Sequence, residues 1–491
     1  MLHNATCAKI GSPVEGDMVA THPATWILID RRAGYLERQI HDAIRDRVLA
    51  GQLVAGERLP SSRALAAMLG VARSTVVAGY ELLRAEGFVT GRAGSAMRVA
   101  DLPPPPDGAR PAPLPRVSPP EPEPERFLPF RPGLPDLDSF PHEIWSRCLS
   151  ARARHLHIHD LGYRDENGLP ALRQAIVDHV TRARAVLADP EQVVIMPSTA
   201  AILALLARVL LPATGRTVWL EEPGYRTAHD IFAAAGAAIV PRPCDAEGMT
   251  IGHDDPAPSI IYVTPSHQYP TGVAMSLTRR IALLHVAAAH EAVVIEDDYD
   301  SEFHYASRPL AALQGIDRAD RVAYVGTFSK VLAPGLRIAY AVLPAWLLAQ
   351  VRPILRREGG SVPIHVQAAM ADFLNAGHLR AHVRTMQRVY AERMTALCDA
   401  LATVTENMLC VEPVAGGLQL PVWFRDQRID DRRVAHALQD RGIGAMPLSP
   451  FHAATLRSGL LFGIGGATDR NIAHLSSVIE RNWPFYGIST S

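Results

Sequence analysis

Two short apolar runs frame the most informative stretch of the chain, residues 321–344. The first run, residues 322–325, ends at Gly326, and the second follows Arg337. Apolar runs of this length bounded by turn residues predict buried strands. Hydroxyl side chains, a lysine and a Pro-Gly turn separate the two runs. We therefore expect these polar groups at the end of a strand, where open α/β sheets bind ligands.

Near the N-terminus the apolar period becomes helical. Leu36, Ile40, Ile44 and Val48 recur every four residues, and a glycine ends the run. This spacing predicts an amphipathic helix. Residues 26–30, just before it, form a short strand-like patch.

A second helical pattern follows in two parts. Ser61 or Ser62 can cap a short helix that ends at Gly70, and a longer helix covers residues 73–87. A short helix, a tight glycine turn and a longer helix predict a helix-turn-helix. The residues after it predict two strands with a turn around residues 92–95, which together would form a wing.

Positive charge is concentrated in this region. Residues 35–100 contain nine Arg against six acidic residues, a net charge of +3 in a chain whose net charge is -1. DNA phosphates require such a surface. The alternative is a three-helix packing module without nucleic acid, which would not need Arg at both helix starts and a glycine at the tip of the wing.

Residues 36–99, with the phrase Arg-Leu-Pro-Ser-Ser-Arg at 58–63, resemble the winged helix-turn-helix of the GntR superfamily. The resemblance implies that the start of the second helix and the wing contact DNA. The residues it implies are Arg63, Arg73, Ser74, Thr75 and the backbone of Gly94.

Lysine is almost absent from the chain. Lys9 and Lys330 are the only two, and every other Lys/Arg position is Arg. Arginine keeps its proton near neutral pH, whereas a desolvated lysine can lose it, and only a neutral amine attacks an aldehyde. Lys330 is therefore a candidate Schiff-base lysine for pyridoxal 5'-phosphate. The alternative is a chance survivor of an Arg-favouring composition.

The neighbours of Lys330 resemble the signature of fold-type I aminotransferases. The resemblance implies that Thr327, Ser329 and Arg337 bind the cofactor phosphate, since Arg matches phosphate geometry. Upstream, an apolar strand runs into a carboxylate cluster. There Asp297 would keep the pyridine nitrogen protonated and Tyr299 would hydrogen-bond the ring 3'-oxygen.

The same resemblance extends to other motifs. It implies that Tyr225 stacks on the pyridine ring, that Ser198 and Thr199 bind the phosphate at a helix N-terminus, and that Tyr163 reaches across a dimer to the phosphate. A core aromatic at a turn is the alternative for Tyr163. His267 and Gln268 are either effector contacts or structural residues.

The chain departs from the aminotransferase pattern at several positions. Ser198, Ala200 and Ala201 replace a glycine and two glutamines, and Tyr269 stands where an asparagine is usual. Leu461 aligns with the arginine that grips a substrate α-carboxylate. Arg131, Arg164 and Arg226 are alternative partners for a carboxylate.

Length and composition divide the chain into parts. The 491 residues are too many for one ordinary core. Residues 101–125 contain eleven prolines and predict a semi-rigid linker. The predicted organisation is a tail over residues 1–24, a DNA-binding domain over 25–100, a linker over 101–126 and an aminotransferase-like domain over 127–491.

Other features narrow the class of protein. The five cysteines are scattered without a CxxC pair, which argues against a disulfide framework or a zinc site and indicates a reducing cytoplasm. No metal is expected. No secretion signal and no apolar run of about 18 residues is visible, so a membrane location is not expected.

The order of the two parts resembles the MocR subfamily of GntR-type transcription regulators. That resemblance predicts an N-terminal winged helix-turn-helix (α+β) joined to an α/β fold-type I aminotransferase-like domain. It implies a DNA-binding homodimer. The reach of the proline-rich linker would let the reader domain of one subunit lie over its partner, and a passive spacer is the alternative. It also implies a regulator that responds to an amine or amino-acid-like effector, or to pyridoxal 5'-phosphate itself. One alternative is an active aminotransferase with a DNA anchor, and another is a cofactor-free regulator.

Overall fold

The computed structural model describes residues 26–91, 96–103, 128–155, 158–162, 166–212, 215–252, 256–305, 311–358, 362–405, 408–452 and 457–482. The chain separates into two compact units, Met1–Pro122 and Glu123–Ser491. The division falls inside the predicted linker, most of which lies outside the described residues. No helix in the described ranges is long and apolar enough to cross a membrane.

The first unit contains the predicted helix-turn-helix. Its elements are α1 (Leu36–Leu49), α2 (Ser62–Leu69), α3 (Arg73–Ala85), β1 (Val89–Thr90) and β2 (Arg98–Val99). Ser61 caps α2 by accepting a hydrogen bond from the Ala64 N–H, and Gly70 ends it with a left-handed φ of 63°. Strands β1 and β2 pair antiparallel, as the predicted wing requires.

A small apolar core holds this unit together. The predicted spacing of Ile40, Ile44 and Val48 places all three in that core, together with Val76 and Leu83 of α3. The strand-like patch at residues 26–30 is not a strand. Ile27 packs on the core, but no neighbouring strand offers residues 26–30 a backbone ladder.

The second unit is larger and mixes helices with strands. Its helices are α4 (His142–Arg154), α5 (Pro170–Arg184), α6 (Thr199–Leu210), α7 (Arg226–Ala234), α8 (Leu277–Ala289), α9 (Leu313–Ile316), α10 (Ala345–Glu358), α11 (Ile364–Asn375), α12 (His378–Val404), α13 (Asp431–Gln439) and α14 (Asp469–Asn482). Its strands are β3 (Val193–Met196), β4 (Thr217–Glu222), β5 (Ala238–Asp245), β6 (Gly248–Met249), β7 (Ile260–Val263), β8 (Val293–Asp298), β9 (Val322–Thr327), β10 (Ala339–Val342), β11 (Leu409–Val411), β12 (Gln419–Phe424), β13 (Met446–Pro447) and β14 (Gly459–Gly463).

Among the described residues, an eight-stranded sheet runs in the order β3-β10-β9-β8-β7-β4-β5-β6. Its centre is parallel, whereas β10 pairs antiparallel with both β3 and β9. Apolar clusters cover both faces, which is why these strands are continuous apolar runs in the sequence. The two apolar runs predicted around Lys330 are confirmed as β9 and β10.

A four-stranded antiparallel sheet follows, in the order β11-β12-β14-β13. One face, with Leu420, Val422, Leu460 and Phe462, packs in the same core as the long helix α12. Side chains alternate across a strand, so the residues between these point to the other face. We call this sheet, together with α13 and residues 448–452, the small lobe of the second unit. The eight-stranded sheet with its connecting segments is the large lobe.

The register between β8 and β9 positions the candidate site. Asp297 lies opposite Val325, and Asp298 lies opposite Gly326. Both strands are parallel and end at the same edge of the sheet. The carboxylate cluster and the segment that carries Lys330 therefore emerge side by side, although they are about 30 residues apart in sequence.

Close packing of β9 on β10 depends on Gly326. A Cβ at this position would overlap the ring of Tyr340, which faces it in the antiparallel register and is 2% exposed. We predict that Gly326→Val destabilises the second unit by about 1–3 kcal/mol, because the buried ring has no space to move into. The measurement is the thermal unfolding midpoint of the full chain.

Gly335→Ala is the matched control, because a Cβ there meets no heavy atom within 4 Å. We expect it to leave the midpoint near that of the wild type. Equal midpoints for Gly326→Val and the wild type would contradict the packing argument.

Candidate functional site

A cavity of about 350 Å³ opens at the edge where β8 and β9 end. Strand ends, the N-terminus of α6 and the small lobe form its walls. The predicted residues that line it are Ser198, Thr199, Tyr225, Asp297, Tyr299, Thr327, Ser329, Lys330 and Arg337. The fold thus brings together all of the predicted cofactor residues that the structure describes. Tyr163 lies outside the described residues.

Lys330 lies in this cavity with its amine pointing at backbone. The Nζ atom donates a hydrogen bond to the Gly133 carbonyl at 2.7 Å. Burial lowers the pKa of Lys330 below its ordinary value, an effect that Asp300 and Asp297 partly oppose. A lowered pKa increases the fraction of neutral amine, which is the form that attacks an aldehyde.

Asp297 has one satisfied and one unsatisfied oxygen. Oδ2 accepts a hydrogen bond from the Tyr262 hydroxyl at 2.7 Å, while Oδ1 is buried without a hydrogen-bond partner. Burial raises the pKa of Asp297 to about 7. A buried acceptor without a donor is costly. The N–H of a protonated pyridine ring is a donor that fits this position.

Sequence reasoning missed Tyr262 as a site residue. It lies on β7, where it lines the cavity and fixes the orientation of the Asp297 carboxyl. The only signal was a tyrosine inside an otherwise aliphatic strand, Ile260–Val263. A tyrosine buried in such a strand needs a partner for its hydroxyl, and sequence alone does not identify that partner.

The other end of the cavity suits a phosphate. The first turn of α6 presents backbone N–H groups there, and the Ser198 hydroxyl caps the helix by accepting from the Ala201 N–H. Arg337 adopts a left-handed φ of 53° and is exposed at the cavity wall. Together with the Thr327 and Ser329 hydroxyls these groups provide cationic and neutral donors for an anion.

A group of aromatic rings forms one wall. The ring of Tyr269 lies 5.7 Å from that of Tyr225, 6.0 Å from that of Tyr299 and 5.3 Å from that of Phe451. Tyr225 lines the cavity, and its stacking on the pyridine ring remains a prediction. Phe451, which comes from the small lobe, does not line the cavity but contacts this wall through Tyr269.

Tyr299 is held by protein groups. Its hydroxyl donates to the His267 carbonyl at 3.0 Å and accepts from the Gln419 amide at 2.9 Å. Its single proton is therefore engaged in this arrangement. The predicted bond from Tyr299 to a ring 3'-oxygen remains a prediction, and it requires that proton to be redirected.

The carboxylates of the cluster have different roles. Asp298 accepts from Arg184 Nε at 2.8 Å and from the hydroxyls of Ser266, Ser301 and Tyr324. Burial opposes the ionisation of Asp298, but the guanidinium and hydroxyl donors outweigh it and lower the pKa. Asp298 is thus a structural anchor, whereas its neighbour Asp297 remains available for a ligand.

The two residues left open as effector contacts have partners within the chain. His267 Nδ1 lies 2.8 Å from an oxygen of Asp300, and the Gln268 amide donates to the Pro223 carbonyl at 2.7 Å. Neither residue lines the cavity. These contacts favour the structural interpretation for both.

The predicted DNA-contacting side chains lie at the surface of the first unit. Arg63, Arg73 and Ser74 are exposed, and Thr75 is half-buried. Arg73 Nε lies 3.3 Å from the Ser62 hydroxyl, which links the starts of α2 and α3. Gly94 lies outside the described residues.

Metal binding receives no support from the part of the chain that the structure describes. No group of three or more His, Cys, Asp or Glu side chains there is placed to hold a metal ion. His267 and Asp300 are instead hydrogen-bonded to each other, and Asp300 also accepts from the Leu418 N–H.

Two families match the chain in separate regions. Residues 36–99 match "Bacterial regulatory proteins, gntR family", and residues 149–479 match "Aminotransferase class I and II". The second match covers most of the unit that contains the cavity. Each matched range lies within one of the two compact units.

Two transcription regulators are similar to this chain across both matched regions. The probable rhizopine catabolism regulatory protein MocR of Rhizobium meliloti is 36% identical over 464 residues, which cover 90% of this chain and 92% of that protein. The pyridoxine biosynthesis transcriptional regulator PdxR of Corynebacterium glutamicum is 32% identical, covering 87% and 91%.

Solved structures share the fold of the second unit. The kynurenine aminotransferase of Pyrococcus horikoshii aligns with a TM-score of 0.65 at 24% identity, covering 73% of this chain and 92% of that one. The α-aminoadipate aminotransferase LysN of Thermus thermophilus aligns with a TM-score of 0.66, also at 24% identity. These likenesses establish a fold-type I aminotransferase architecture.

The raised pKa of Asp297 predicts a pH-dependent stability. Burial raises this pKa from 3.8 to about 7, so the folded chain binds more protons than the unfolded chain between those values. The contribution of this carboxyl to stability therefore falls as pH rises from about 4 to about 7. For the cofactor-free protein we predict that the melting temperature of Asp297→Asn increases relative to that of the wild type as pH rises over this range.

Asp298→Asn is the matched control because the pKa of Asp298 is lowered. Its stabilising contribution is present at neutral pH and is lost as pH falls, so this variant should be less stable than the wild type at neutral pH, with a deficit that narrows in acid. A pH-independent difference between Asp297→Asn and the wild type would contradict the assignment of a buried, unpaired carboxyl.

Proposed function

The chain belongs to the MocR subfamily of GntR-type transcription regulators, and on that premise we propose that it binds DNA through its first unit and senses a ligand in the cavity of its second unit. The cavity fits pyridoxal 5'-phosphate, and the ligand is an amine or amino-acid-like effector that joins it, or the cofactor alone. We further propose that the protein acts in the cytoplasm, consistent with its scattered cysteines.

The observation that carries this proposal is the pairing of Lys330 with Asp297 in one cavity. A partly buried amine of lowered pKa and a buried carboxyl oxygen without a donor match the two ends of a pyridoxal ring. The cofactor, when bound, supplies an aldehyde that condenses reversibly with amines. Lys330 holds it, and Asp297 fixes the ring nitrogen in its protonated state.

Release of Lys330 links effector binding to conformation. With the cofactor bound, an effector amine that took the place of Lys330 would release its Nζ atom. In this structure the unattached Nζ donates a hydrogen bond to the Gly133 carbonyl. The segment around Gly133 lies against the small lobe, where the Gly463 N–H donates to the Phe130 carbonyl. A change at Lys330 therefore reaches the boundary between the lobes.

Closure of the small lobe is the conformational response that we propose. Gln419 extends from that lobe to the cavity, and the ring of Phe451 packs against that of the cavity residue Tyr269. The Gly224 N–H of the large lobe donates to the Phe451 carbonyl at 3.1 Å. A ligand that contacts both lobes favours the closed state only through a higher affinity for it. This difference in affinity is the free energy available for regulation.

Transmission to DNA requires a dimer in this proposal. A homodimer presents two reader units, and the proline-rich linker carries movement of the ligand-binding unit to their spacing on two half-sites. The linker is long enough for each reader to lie over the partner subunit, which is the swapped arrangement. Tyr163, whose position the structure does not describe, is proposed to reach the cofactor phosphate of the partner subunit.

A second candidate function is an active aminotransferase with a DNA anchor. The complete set of Lys330, Asp297 and Arg337 in one cavity favours it. Leu461, which is fully buried where the resemblance expects a carboxylate-binding arginine, argues against it. Conversion of an amino donor to its keto acid at ordinary enzymatic rates would establish this alternative.

Lys330→Ala tests the sensing role. We predict that it loses the visible absorbance of cofactor joined to lysine and abolishes the effect of amines on DNA binding. Lys330→Arg is the matched variant, since it keeps a cation that cannot condense with an aldehyde. Both changes are measured on the full chain by absorbance and by DNA-binding titration. An amine response that persists unchanged in both variants would rule the mechanism out.

Arg73→Ala tests the DNA-reading helix. Arg73 is exposed at the start of α3, where a recognition helix meets DNA. We predict a loss of affinity for duplex DNA of about tenfold and a decrease of about one in the slope of log K against log salt, as expected for one lost phosphate contact. Fluorescence anisotropy at several salt concentrations measures both quantities.

Arg84→Ala is the matched control on the same helix. Arg84 lies in the last turn of α3 and forms an ion pair with Glu81. We expect its salt slope to match that of the wild type. Equal losses for the two variants would mean that the start of α3 has no special role in DNA binding.

A further inference from the structure

Gln419 places an unused hydrogen-bond acceptor in the ligand cavity. It begins β12 of the small lobe, is 2% exposed and lines the cavity beside Lys330. Its Oε1 atom is buried without a hydrogen-bond partner. Leaving such an acceptor unpaired is costly, so its retention in a ligand cavity points to a donor on the ligand.

The hydrogen-bond network fixes which atom of the Gln419 amide has a partner within the protein. The Tyr299 hydroxyl has one proton, and it donates that proton to the His267 carbonyl. Its oxygen can then only accept, so the amide must turn its NH₂ group toward Tyr299. The carbonyl Oε1 is left without a donor, in a residue that lines the cavity. If the amide were flipped, Oε1 and the His267 carbonyl would both need a proton from the Tyr299 hydroxyl, which has only one.

The cations of the cavity are already committed. Among the described residues that line it, Lys330 and Arg337 are the cations, and the proposed function assigns one to the cofactor aldehyde and the other to its phosphate. Arg226 pairs with Asp230 on α7 at 3.3 Å, and Arg131 is exposed; neither lines the cavity.

Leu461 places an apolar side chain in the small lobe where the resemblance expects a carboxylate-binding arginine. It lies opposite Pro421 on β12, two residues from Gln419, and therefore shares the face that Gln419 presents to the cavity. Leu461 is fully buried and absent from the core cluster that contains its neighbours Leu460 and Phe462. This face thus combines an apolar side chain with a neutral acceptor.

We propose that Gln419 is a specificity-determining residue and that the effector is a primary amine carrying a hydroxyl or second amino group, without a carboxylate. This inference rests on the proposed function and names the class of ligand for the same cavity. The amine joins the cofactor, and the second donor binds Gln419 Oε1. A carboxylate would meet that acceptor, and the described residues that line the cavity offer it no uncommitted cation.

Matched ligands test the class of effector. The full chain loaded with pyridoxal 5'-phosphate is titrated with ethanolamine, ethylamine and glycine, and with propanolamine, propylamine and β-alanine. Within each trio only the terminal carbon changes: it is a hydroxymethyl group in the amino alcohol, a methyl group in the alkylamine and a carboxylate in the amino acid. Calorimetry gives the dissociation constants, and the visible spectrum reports occupancy. At the chain length that reaches Gln419 we expect the amino alcohol to bind about tenfold more tightly than the alkylamine, and the amino acid to bind most weakly.

Substitutions at Gln419 test the residue. Gln419→Leu should remove the preference for the amino alcohol over the alkylamine, whereas Gln419→Glu, which keeps an acceptor, should retain it and further weaken the amino acid. Gln439→Leu is the matched control, since Gln439 is exposed in the same lobe away from the cavity. The ratio of the two affinities is the readout, because a purely structural role of Gln419 would weaken both amines equally.

The outcomes separate this inference from the proposed function. If amines bind but the amino acids bind most tightly, or if Gln419→Leu keeps the preference, this inference is wrong and the proposed function stands. If none of the amines binds while the cofactor remains in place, the proposed amine-sensing function fails and this inference fails with it.

Discussion

The pairing of β8 with β9 is the constraint on which the rest of the second unit depends. It puts Asp297 and the Lys330 segment at one edge of the sheet, where both are partly or fully removed from water. Burial acts on the two groups in opposite directions, because it disfavours the charged form of each. The amine becomes easier to deprotonate and the carboxyl becomes easier to protonate, which prepares both for a ligand that meets them with a complementary group.

The surrounding structure compensates for these unsatisfied groups. Arg184 and Asp298 form a buried ion pair with several hydroxyl donors, and this anchor fixes the end of β8 next to Asp297. Tyr262 satisfies one oxygen of Asp297 and leaves the other buried without a donor. The same principle operates at Gln419, where Tyr299 takes the amide NH₂ and leaves the carbonyl. In both cases one polar atom of the side chain has a fixed partner within the protein, and the other is buried without one.

In the proposed function these features connect the two lobes and give the cavity its regulatory use. A ligand that completes Asp297 on the large lobe and Gln419 on the small lobe bridges them, and such bridging has different free energies in open and closed states. The DNA-reading unit carries its own core and its own exposed arginines. It therefore needs only a mechanical connection to the second unit, which a proline-rich linker provides.

The sequence alone determined the two-part organisation, the helix-turn-helix and the strands on both sides of Lys330, because periodicity and turn residues are local signals. Its contiguous motifs also named most of the residues that the structure brings into one cavity, and their cofactor roles stay predictions. It did not reveal that residues 26–30 form no strand, since a strand exists only where a neighbour offers a ladder. It also missed Tyr262 and left Gln419 unnoticed, and it gave the carboxylates of the cluster no individual environments. Those roles depend on which atoms lack a partner after folding, and that is decided by contacts between residues tens to hundreds of positions apart.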